Sequence, residues 1–361
     1  MRHVDEYRDR EVSARLLDGL RRVTKRRLKF MEVCGSHTVA IFKSGIRDLL
    51  PENISLVSGP GCPVCVTAVE DVDMAVAIAR LPGVVLATFG DMVRVPGSGT
   101  SLQKAKADGA DVRIVYSPFD ALKMAESNPD KKVVFFAAGF ETTSPAVAAT
   151  LGRAVEADTK NFFIFSVHKT IPLAMRALLD TPGLNIDGFL CPGHVSTIIG
   201  SKPYGFIADE YKRPAVVSGF EPVDILQSTL MMARQAEEGR PAVEIQYLRA
   251  VSEEGNKKAV ELLYRYFEPS DSNWRGIAVM PGTGLKLRDE FAACDAEKVF
   301  DVKPGAAREV KGCSCGQVLQ GIKTPPECKL FGMACTPETP VGACMVSYEG
   351  SCAAYYKYGR R

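Results

Sequence analysis

Cysteine is the residue type most able to do chemistry in this chain, and its distribution is uneven. The chain has eleven cysteines in 361 residues, and six of them fall within the last 49 residues. Thiolates bind soft metals and exchange disulfides, so this crowding indicates a metal site, a redox site or both. The six tail cysteines are Cys313, Cys315, Cys328, Cys335, Cys344 and Cys352.

The spacing of the tail cysteines allows two kinds of metal site. One candidate ligand set is Cys313, Cys328, Cys335 and Cys352. That set leaves Cys315 and Cys344 as a spare pair. Four thiolates suit either zinc or a [4Fe–4S] cluster. Zinc ribbons usually carry two short Cys-x-x-Cys knuckles, which this tail lacks, so the irregular spacing favours a cluster. A spare dithiol beside a cluster can couple one-electron chemistry to two-electron disulfide chemistry.

A Cys-x-x-Cys pair, Cys62 and Cys65, lies on a turn built from glycine and proline. The turn follows a β-prone run at 54–58 and precedes a helical segment with acidic residues in its first turns. A helix N-terminus stabilises a thiolate, so we expect a lowered thiol pKa and a redox or metal-handling role. The alternatives are a pair of zinc ligands or inert buried cysteines.

The most suggestive single thiol is Cys34, which directly follows the apolar run 28–33. Backbone and hydroxyl donors from Ser36, His37 and Thr38 can stabilise an anion beside it. Cys34 can therefore be a nucleophile beside His37 or a soft ligand for a low-valent metal. Packing against the sheet is the alternative.

Short apolar runs alternate with helical segments through much of the chain. Eight runs are predicted to be strands: 28–33, 54–58, 84–89, 112–116, 132–138, 162–167, 186–190 and 215–218. Such alternation predicts an α/β fold with parallel sheets covered on both faces by helices. Ligands of these sheets bind beyond the carboxyl ends of the strands. Three of the four histidines, His37, His168 and His194, lie in loops at that position.

We predict three segments along the chain. Residues 1–117 hold the N-terminal helix and a first α/β domain with the Cys34 and Cys62/Cys65 loops. Residues 118–223 form a second α/β domain with the His194 loop, with 212–223 able to return to the first. Residues 224–361 form a helical segment followed by the cysteine-rich region.

Composition excludes several classes of protein. The net charge of +2 gives no case for nucleic-acid binding. The first ten residues are charged and lack the apolar core of a signal peptide, and no apolar run approaches the length of a membrane span. We expect a cytoplasmic protein, in which structural disulfides are rare. The chain also lacks a Walker motif and the radical-SAM cysteine motif.

Taken together, the motifs closely resemble the hydrogenase maturation factor HypD family over nearly the whole chain. They are Cys34-Gly35-Ser36-His37-Thr38, Gly59-Pro60-Gly61-Cys62-Pro63-Val64-Cys65, Gly139-Phe140-Glu141-Thr142-Thr143, Cys191-Pro192-Gly193-His194-Val195-Ser196, and the tail segment from Met345 through Glu349 to Cys352. The resemblance implies two small Rossmann-like parallel-sheet domains plus a C-terminal irregular, mainly helical iron–sulfur region. That region would look like the surroundings of the cluster in ferredoxin:thioredoxin reductase.

The resemblance also implies a function. It implies a scaffold on which the Fe(CN)2(CO) unit of [NiFe]-hydrogenase is assembled together with a small partner, HypC. Cyanide would arrive from HypE, which carries it as a thiocyanate made with HypF. The hydrogenase large subunit would be an indirect partner.

Carried over by motif position, the resemblance assigns roles to individual residues. Cys34 would hold the transient Fe(CN)2(CO) unit, with the Cys62/Cys65 dithiol near it. His194 and Glu349 would assist in the central cleft. The [4Fe–4S] ligands would be Cys313, Cys328, Cys335 and Cys352. Cys315 and Cys344 would be a second redox pair.

Two other functions remain open at this point. One is a stand-alone iron–sulfur thiol–disulfide oxidoreductase of the ferredoxin:thioredoxin reductase type, which needs neither Cys34 nor the histidine loops. The other is a binding module that bridges maturation proteins and holds zinc in its tail.

Overall fold

The computed structural model describes residues 5–359, which form two parallel sheets and one antiparallel sheet. The strands are β1 (Leu28–Glu32), β2 (Ile54–Ser58), β3 (Val84–Thr88), β4 (Asp111–Ile114), β5 (Lys132–Ala137), β6 (Phe162–Ser166), β7 (His168–Lys169), β8 (Gly188–Pro192), β9 (Ala215–Ser218), β10 (Val243–Ile245), β11 (Phe267–Trp274) and β12 (Ala278–Leu287). The α-helices are α1 (Arg10–Val23), α2 (Gly35–Lys43), α3 (Ile46–Leu49), α4 (Pro63–Val66), α5 (Val69–Ala79), α6 (Leu102–Ala107), α7 (Pro118–Ser127), α8 (Ser144–Glu156), α9 (Ile171–Leu179), α10 (Gly193–Ile199), α11 (Gly205–Asp209), α12 (Pro222–Glu238), α13 (Lys257–Tyr266), α14 (Ala296–Val299), α15 (Cys315–Leu319) and α16 (Ser351–Tyr358).

All eight strands predicted from the sequence form. They are β1 to β6, β8 and β9, and their ends differ from the predicted runs by no more than two residues. The predicted α/β fold class with parallel sheets is therefore confirmed. Continuous apolar runs produce these strands because both faces of each sheet are covered.

A five-stranded parallel sheet carries the loops of interest. Its strand order is β10-β9-β8-β1-β2. Successive residues of β1 enter different cores. Phe30 packs with α1 and α12, whereas Met31 packs on the opposite face of the sheet. Met31 shares its core with buried cysteines of the tail, so the tail covers one face of this sheet.

A four-stranded parallel sheet forms the second unit, in the order β4-β3-β5-β6. Its central strand β5 is buried on both faces: Val134 and Phe136 enter one core, and Val133 and Phe135 the other. Helix α8 packs against α13 on the second of these faces, since both contribute to that core.

The strands do not divide between the sheets at the contiguous boundaries that we predicted. Strands β3 and β4, from the segment 1–117, pair with β5 and β6 of the segment 118–223. Strand β9 joins the sheet of β1 and β2, as allowed for residues 212–223, but β8 joins it as well. Parallel neighbours require a crossover connection, so a segment can leave a sheet and return, and chain order alone does not reveal this.

A long antiparallel hairpin, β11–β12, connects the sheets to the tail and was not predicted. Strand β12 also pairs with the short β7, and the hairpin tip turns at Gly276 with a φ of +67°. The tip packs closely on Gly316. A Cβ at position 316 would collide with the backbone of Gly276. This close approach fixes the start of α15, where Cys315 lies.

Within residues 5–359, no helix combines the length and apolar character needed to cross a membrane.

Candidate functional site

The carboxyl edge of the five-stranded sheet brings the predicted site loops together. Cys34 follows β1 and Cys62 follows β2, and these strands are neighbours in register from Leu28/Ile54 to Glu32/Ser58. The two loops touch directly, because the Gly35 N–H donates to the Gly61 carbonyl oxygen at 3.1 Å. Both thiol loops therefore lie at one edge of the same sheet.

Cys34 is a buried thiol at the N-cap of α2, with 8% of its surface exposed. Burial, and to a smaller extent the charge of Glu349, raises the pKa of Cys34 to about 11. The N–H groups of His37 and Ser36 and the Ser36 hydroxyl oppose this shift. The expected anionic sulfur is therefore not the favoured form of Cys34 in the protein alone. A coordinated metal cation removes such a proton outright.

Glu349 reaches Cys34 from the distant tail. The Ser36 hydroxyl donates to Glu349 Oε1 at 2.5 Å, so Ser36 links this carboxylate to the thiol. Gly35 allows the approach, because a Cβ at that position would lie 2.5 Å from the Glu349 carbonyl oxygen. The structure thus places Glu349 beside Cys34, although 315 positions separate them in the chain.

His37 and His194 lie on either side of Phe220, which follows β9. His37 stacks on Phe220 with ring centroids 4.5 Å apart, and His194 stacks on it at 3.8 Å. The His37 Nε2 lies 2.9 Å from the Gly219 carbonyl oxygen, and burial lowers the pKa of His37 to about 4. His37 is therefore a neutral histidine hydrogen-bonded to the β9 loop, which does not support its role as the base for a Cys34 nucleophile.

His194 follows β8 at the same edge of the sheet. Its side chain is exposed, and burial of part of the ring lowers the pKa of His194 while the charge of Glu349 opposes that effect. A cleft of about 340 Å³ opens beside Ser36 and Phe220. Tyr348, which is 57% exposed, lines the same cleft.

Two of the predicted site residues lie away from this opening. The Thr38 hydroxyl is buried and lies 3.4 Å from both Glu32 Oε1 and the Cys34 carbonyl oxygen. His168 lies in β7 of the antiparallel sheet, where Ser166 Oγ is 3.2 Å from its Nδ1. Burial lowers the pKa of His168 to about 3, so this histidine is neutral and structural.

The Cys62/Cys65 dithiol is buried and meets the tail thiols. Cys65 lies within hydrogen-bonding reach of Cys62 and Cys344. Burial raises the pKa of Cys65 well above its usual value. The expected lowering of the thiol pKa by the helix N-terminus is therefore wrong for Cys65, since desolvation outweighs the effect of the four-residue helix α4.

The tail thiols extend this contact into a continuous row. Cys344 reaches both Cys315 and Cys352, and Cys352 also reaches Cys315. The Sγ atoms of Cys313 and Cys315 are 3.3 Å apart. The row of thiols therefore runs from Cys62 through Cys65 to the tail cysteine Cys344, and from there to Cys315, Cys352 and Cys313.

Two tail thiols have backbone partners. The Val341 N–H donates to Cys335 Sγ at 3.3 Å, and this sulfur lies near Cys313 and Cys315. Cys328 donates its S–H to the Gly312 carbonyl oxygen at 3.8 Å. All six tail cysteines are free thiols.

The tail supplies the donor chemistry that a [4Fe–4S] cluster requires, because such clusters are held by four cysteine thiolates. Within the described part of the chain, no three His, Cys, Asp or Glu side chains converge on a position for a single metal ion. The predicted division into four cluster ligands and the Cys315/Cys344 pair stays a prediction.

Sequence reasoning missed part of the support of this site. Asp224, at the start of α12, is fully buried and accepts from Arg249 Nη1 at 2.9 Å and from the Gln246 amide at 2.9 Å. It stands beside the Gly219–Phe220 turn that both histidines contact. The sequence signal for this part of the site was the position of Gly219 and Phe220 directly after a predicted strand.

Comparison with known proteins now identifies the family. The family model HypD, described as "Hydrogenase formation hypA family", matches residues 11–359. The chain belongs to the HypD family. It is 50% identical to the "Hydrogenase maturation factor HypD" of Azotobacter vinelandii, covering all of this chain and 98% of that protein. The protein of the same name from Escherichia coli K12 is 48% identical, covering 99% of this chain and 98% of that protein. That of Rhizobium leguminosarum bv. viciae is also 48% identical, covering 100% and 96%.

Family membership confirms the resemblance on which the sequence interpretation depended. The alignments cover 96–98% of the three relatives' own lengths, and the family match runs from within α1 to the end of α16. The chain is accordingly a hydrogenase maturation factor of the HypD type.

Proposed function

We propose that this chain is the scaffold on which the Fe(CN)2(CO) unit of [NiFe]-hydrogenase is assembled, with Cys34 as its iron ligand. This proposal is supported by three groups that lie at one edge of the five-stranded sheet: the buried Cys34 thiol, the Ser36–Glu349 pair and the exposed His194. A thiolate is a suitable soft ligand for low-spin Fe(II) that carries cyanide and carbon monoxide. The cleft beside Ser36 gives the cargo a way in.

The residues around Cys34 can each assist iron binding. Formation of the iron–sulfur bond would release the Cys34 proton, and His194, whose pKa is lowered by burial and which lies near Glu349, would be a neutral acceptor. The N–H groups of Ser36 and His37 are directed at the sulfur and stabilise its charge. These donors can also hydrogen-bond cyanide nitrogens.

We propose the Cys62/Cys65 dithiol as the two-electron donor for cyanide transfer. HypE would present a thiocyanate, and its sulfur–carbon bond would break. Cys62 and Cys65 would lose two electrons and two protons as they form a disulfide. The HypE sulfur would take one proton as a thiol, cyanide would pass to the iron, and the second proton would be released.

The row of thiols supports a route for restoring that dithiol. Cys65 lies within reach of Cys344, which reaches Cys315, so dithiol exchange can pass from the tail to the site. A [4Fe–4S] cluster held by Cys313, Cys328, Cys335 and Cys352 would supply single electrons from a one-electron donor. HypC would complete the scaffold, and the protein would act in the cytoplasm.

The decisive experiment is the infrared spectrum of Cys34→Ala purified anaerobically with HypC. We expect the cyanide and carbonyl bands to be lost, because the iron ligand is gone, while the visible absorbance of the tail cluster remains. Cys294→Ala is the matched control, since that half-buried cysteine lies in a separate core. Undiminished bands in Cys34→Ala would assign the iron to another thiol.

A second experiment tests the cluster ligands. Cys328→Ala or Cys335→Ala should abolish the broad absorbance at about 400 nm that iron–sulfur clusters give. Iron and acid-labile sulfide analysis separates this result from zinc in the tail. A full cluster in both variants would refute the ligand assignment.

The contact between Cys65 and Cys344 also favours a second candidate function, a stand-alone iron–sulfur thiol–disulfide oxidoreductase. Differential alkylation with mass spectrometry should find a Cys62–Cys65 disulfide under either hypothesis. Only the scaffold function requires Cys34. The oxidoreductase would be favoured if Cys34→Ala still forms and reduces the Cys62–Cys65 disulfide and the wild type shows no cyanide or carbonyl bands.

A further inference from the structure

A buried carboxylate that the assembly site does not use lies on the second unit. Glu141 follows β5, and only 2% of its surface is exposed. Its Oε1 accepts from the Ile171 N–H at 3.0 Å, at the start of α9. Its Oε2 has no hydrogen-bond partner within residues 5–359, nor has the buried hydroxyl of the adjacent Thr170. Buried polar atoms without partners destabilise a fold unless a ligand satisfies them.

These two groups line a cavity of about 530 Å³, which we call the Glu141 pocket. Apolar walls come from Pro172 and Leu173 of α9 and from Ile199 at the end of α10. Tyr264 of α13 closes another side. The volume lies within the range of small-molecule sites, which combine apolar walls with a few polar groups that orient the ligand.

We propose that the Glu141 pocket binds an organic cation, an ammonium or guanidinium group on an apolar stem, with the cationic head at Glu141 and Thr170. The stem would lie against the apolar walls, as lysine and arginine stems do on protein surfaces. Such a head supplies the donors that Glu141 Oε2 and the Thr170 hydroxyl lack. The inference does not depend on the proposed scaffold function.

The charges at the rim favour a cation over an anion. Lys257 is the one cation among the lining residues, against three carboxylates, and its Nζ lies 3.7 Å from Glu254, which also pairs with Lys202. Glu261 adds a second exposed carboxylate to the same wall. Burial raises the pKa of Glu141 to about 7, and the groups that shift this pKa include no positive charge. A bound cation would provide one.

The same chemistry can come from a free amine or guanidine, or from a lysine or arginine side chain of a partner protein. Calorimetric titration of the intact chain separates these sources, with n-butylguanidinium as the free probe and a short acetylated, amidated peptide with a central arginine as the other. Tighter binding of the peptide indicates a protein partner, and tighter binding of the free probe indicates a metabolite.

The test compares variants at about pH 8, where the Glu141 carboxyl is mostly ionised. Glu141→Gln keeps the shape and removes the charge, so we expect n-butylguanidinium to bind about 10- to 100-fold more weakly, as for lost charge-assisted hydrogen bonds. Glu261→Gln removes an exposed charge from the rim, and we expect a change of less than about fivefold.

A comparison of ligands on the wild-type chain needs no variant. n-Butylurea has nearly the same shape as n-butylguanidinium but no charge, so it should bind at least about 10-fold more weakly. Equal affinity of the two ligands, equal affinity of Glu141→Gln and the wild type, or no binding of either n-butylguanidinium or the arginine peptide at about 10 mM would each overturn the proposal.

Discussion

Replacement of Gly61 by alanine should push apart the two thiol loops at the edge of the five-stranded sheet. A Cβ at position 61 would lie 2.5 Å from the Cα of Cys34 and closer still to the Cys34 nitrogen and the Val33 carbonyl carbon. Ordinary contacts begin at 3.4 Å. The loops must therefore separate by at least about 0.9 Å, the difference between these two distances, because backbone atoms cannot rotate out of the way as a side chain can.

The size of the effect follows from two opposing contributions. Overpacking of this kind destabilises a fold by about 1–3 kcal/mol. Alanine also restricts the unfolded chain, which stabilises the folded state by about 0.4–1 kcal/mol. Gly61 does not have a positive φ, so no backbone strain adds to the collision. We expect a net loss of about 1–2 kcal/mol in the free energy of unfolding.

Urea unfolding followed by circular dichroism measures this loss, and alkylation of Cys34 followed by mass spectrometry reports the separation of the loops. Gly99→Ala is the matched control, because a Cβ there meets open space. The control should unfold at the wild-type urea concentration or slightly higher, and its Cys34 should react as slowly as in the wild type. An unchanged urea midpoint in Gly61→Ala would refute the close contact between the loops.

Three further predictions concern charges. Glu349→Gln should lower the pKa of Cys34 from its value of about 11, since it removes a neighbouring negative charge; the pH profile of Cys34 alkylation measures the shift. His168 has a folded-state pKa of about 3 against 6.5 ordinarily, so its contribution to stability is complete above pH 6.5 and falls as the pH drops towards 3. Urea unfolding should show that His168→Gln lacks about 1.6 kcal/mol of the wild-type loss between about pH 6.5 and 5. Arg249→Met should destabilise the fold by about 3–5 kcal/mol in the same assay, because Asp224 would be left buried without its cation. The first prediction is contradicted if the pH profile of Cys34 alkylation is the same in Glu349→Gln and the wild type. The second is contradicted if His168→Gln and the wild type lose stability equally as the pH falls. The third is contradicted if Arg249→Met is as stable as the wild type.

The sequence by itself determined the strands and the loops that end them. β5 and β8 are continuous apolar runs, and such runs form strands wherever a sheet is covered on both faces. The placement of Cys34 and Cys62 directly after strands also followed from local pattern. Since ligand loops of parallel sheets collect at the carboxyl edge, the general location of the site was predictable too.

The partners of these loops were decided by tertiary structure. His194 lies at the same sheet edge as Cys34 because β8 pairs with β1, a parallel pairing that skips the whole four-stranded sheet. Crossover connections of any length satisfy the same hydrogen bonds, so no local signal distinguishes β8 from β3 as the neighbour of β1. Sheet membership therefore does not follow the order of the predicted segments.

Thiol chemistry shows the same limit most clearly. The sequence places Cys65 at a helix start, which predicts a lowered pKa, but the tail folds over that helix and buries the sulfur beside Cys344. Desolvation by residues distant in sequence then outweighs the local helix dipole. The sequence thus determined which residues can do chemistry and on which loops they lie. Only the tertiary structure decided their neighbours and their burial, because both arise from contacts between segments hundreds of residues apart.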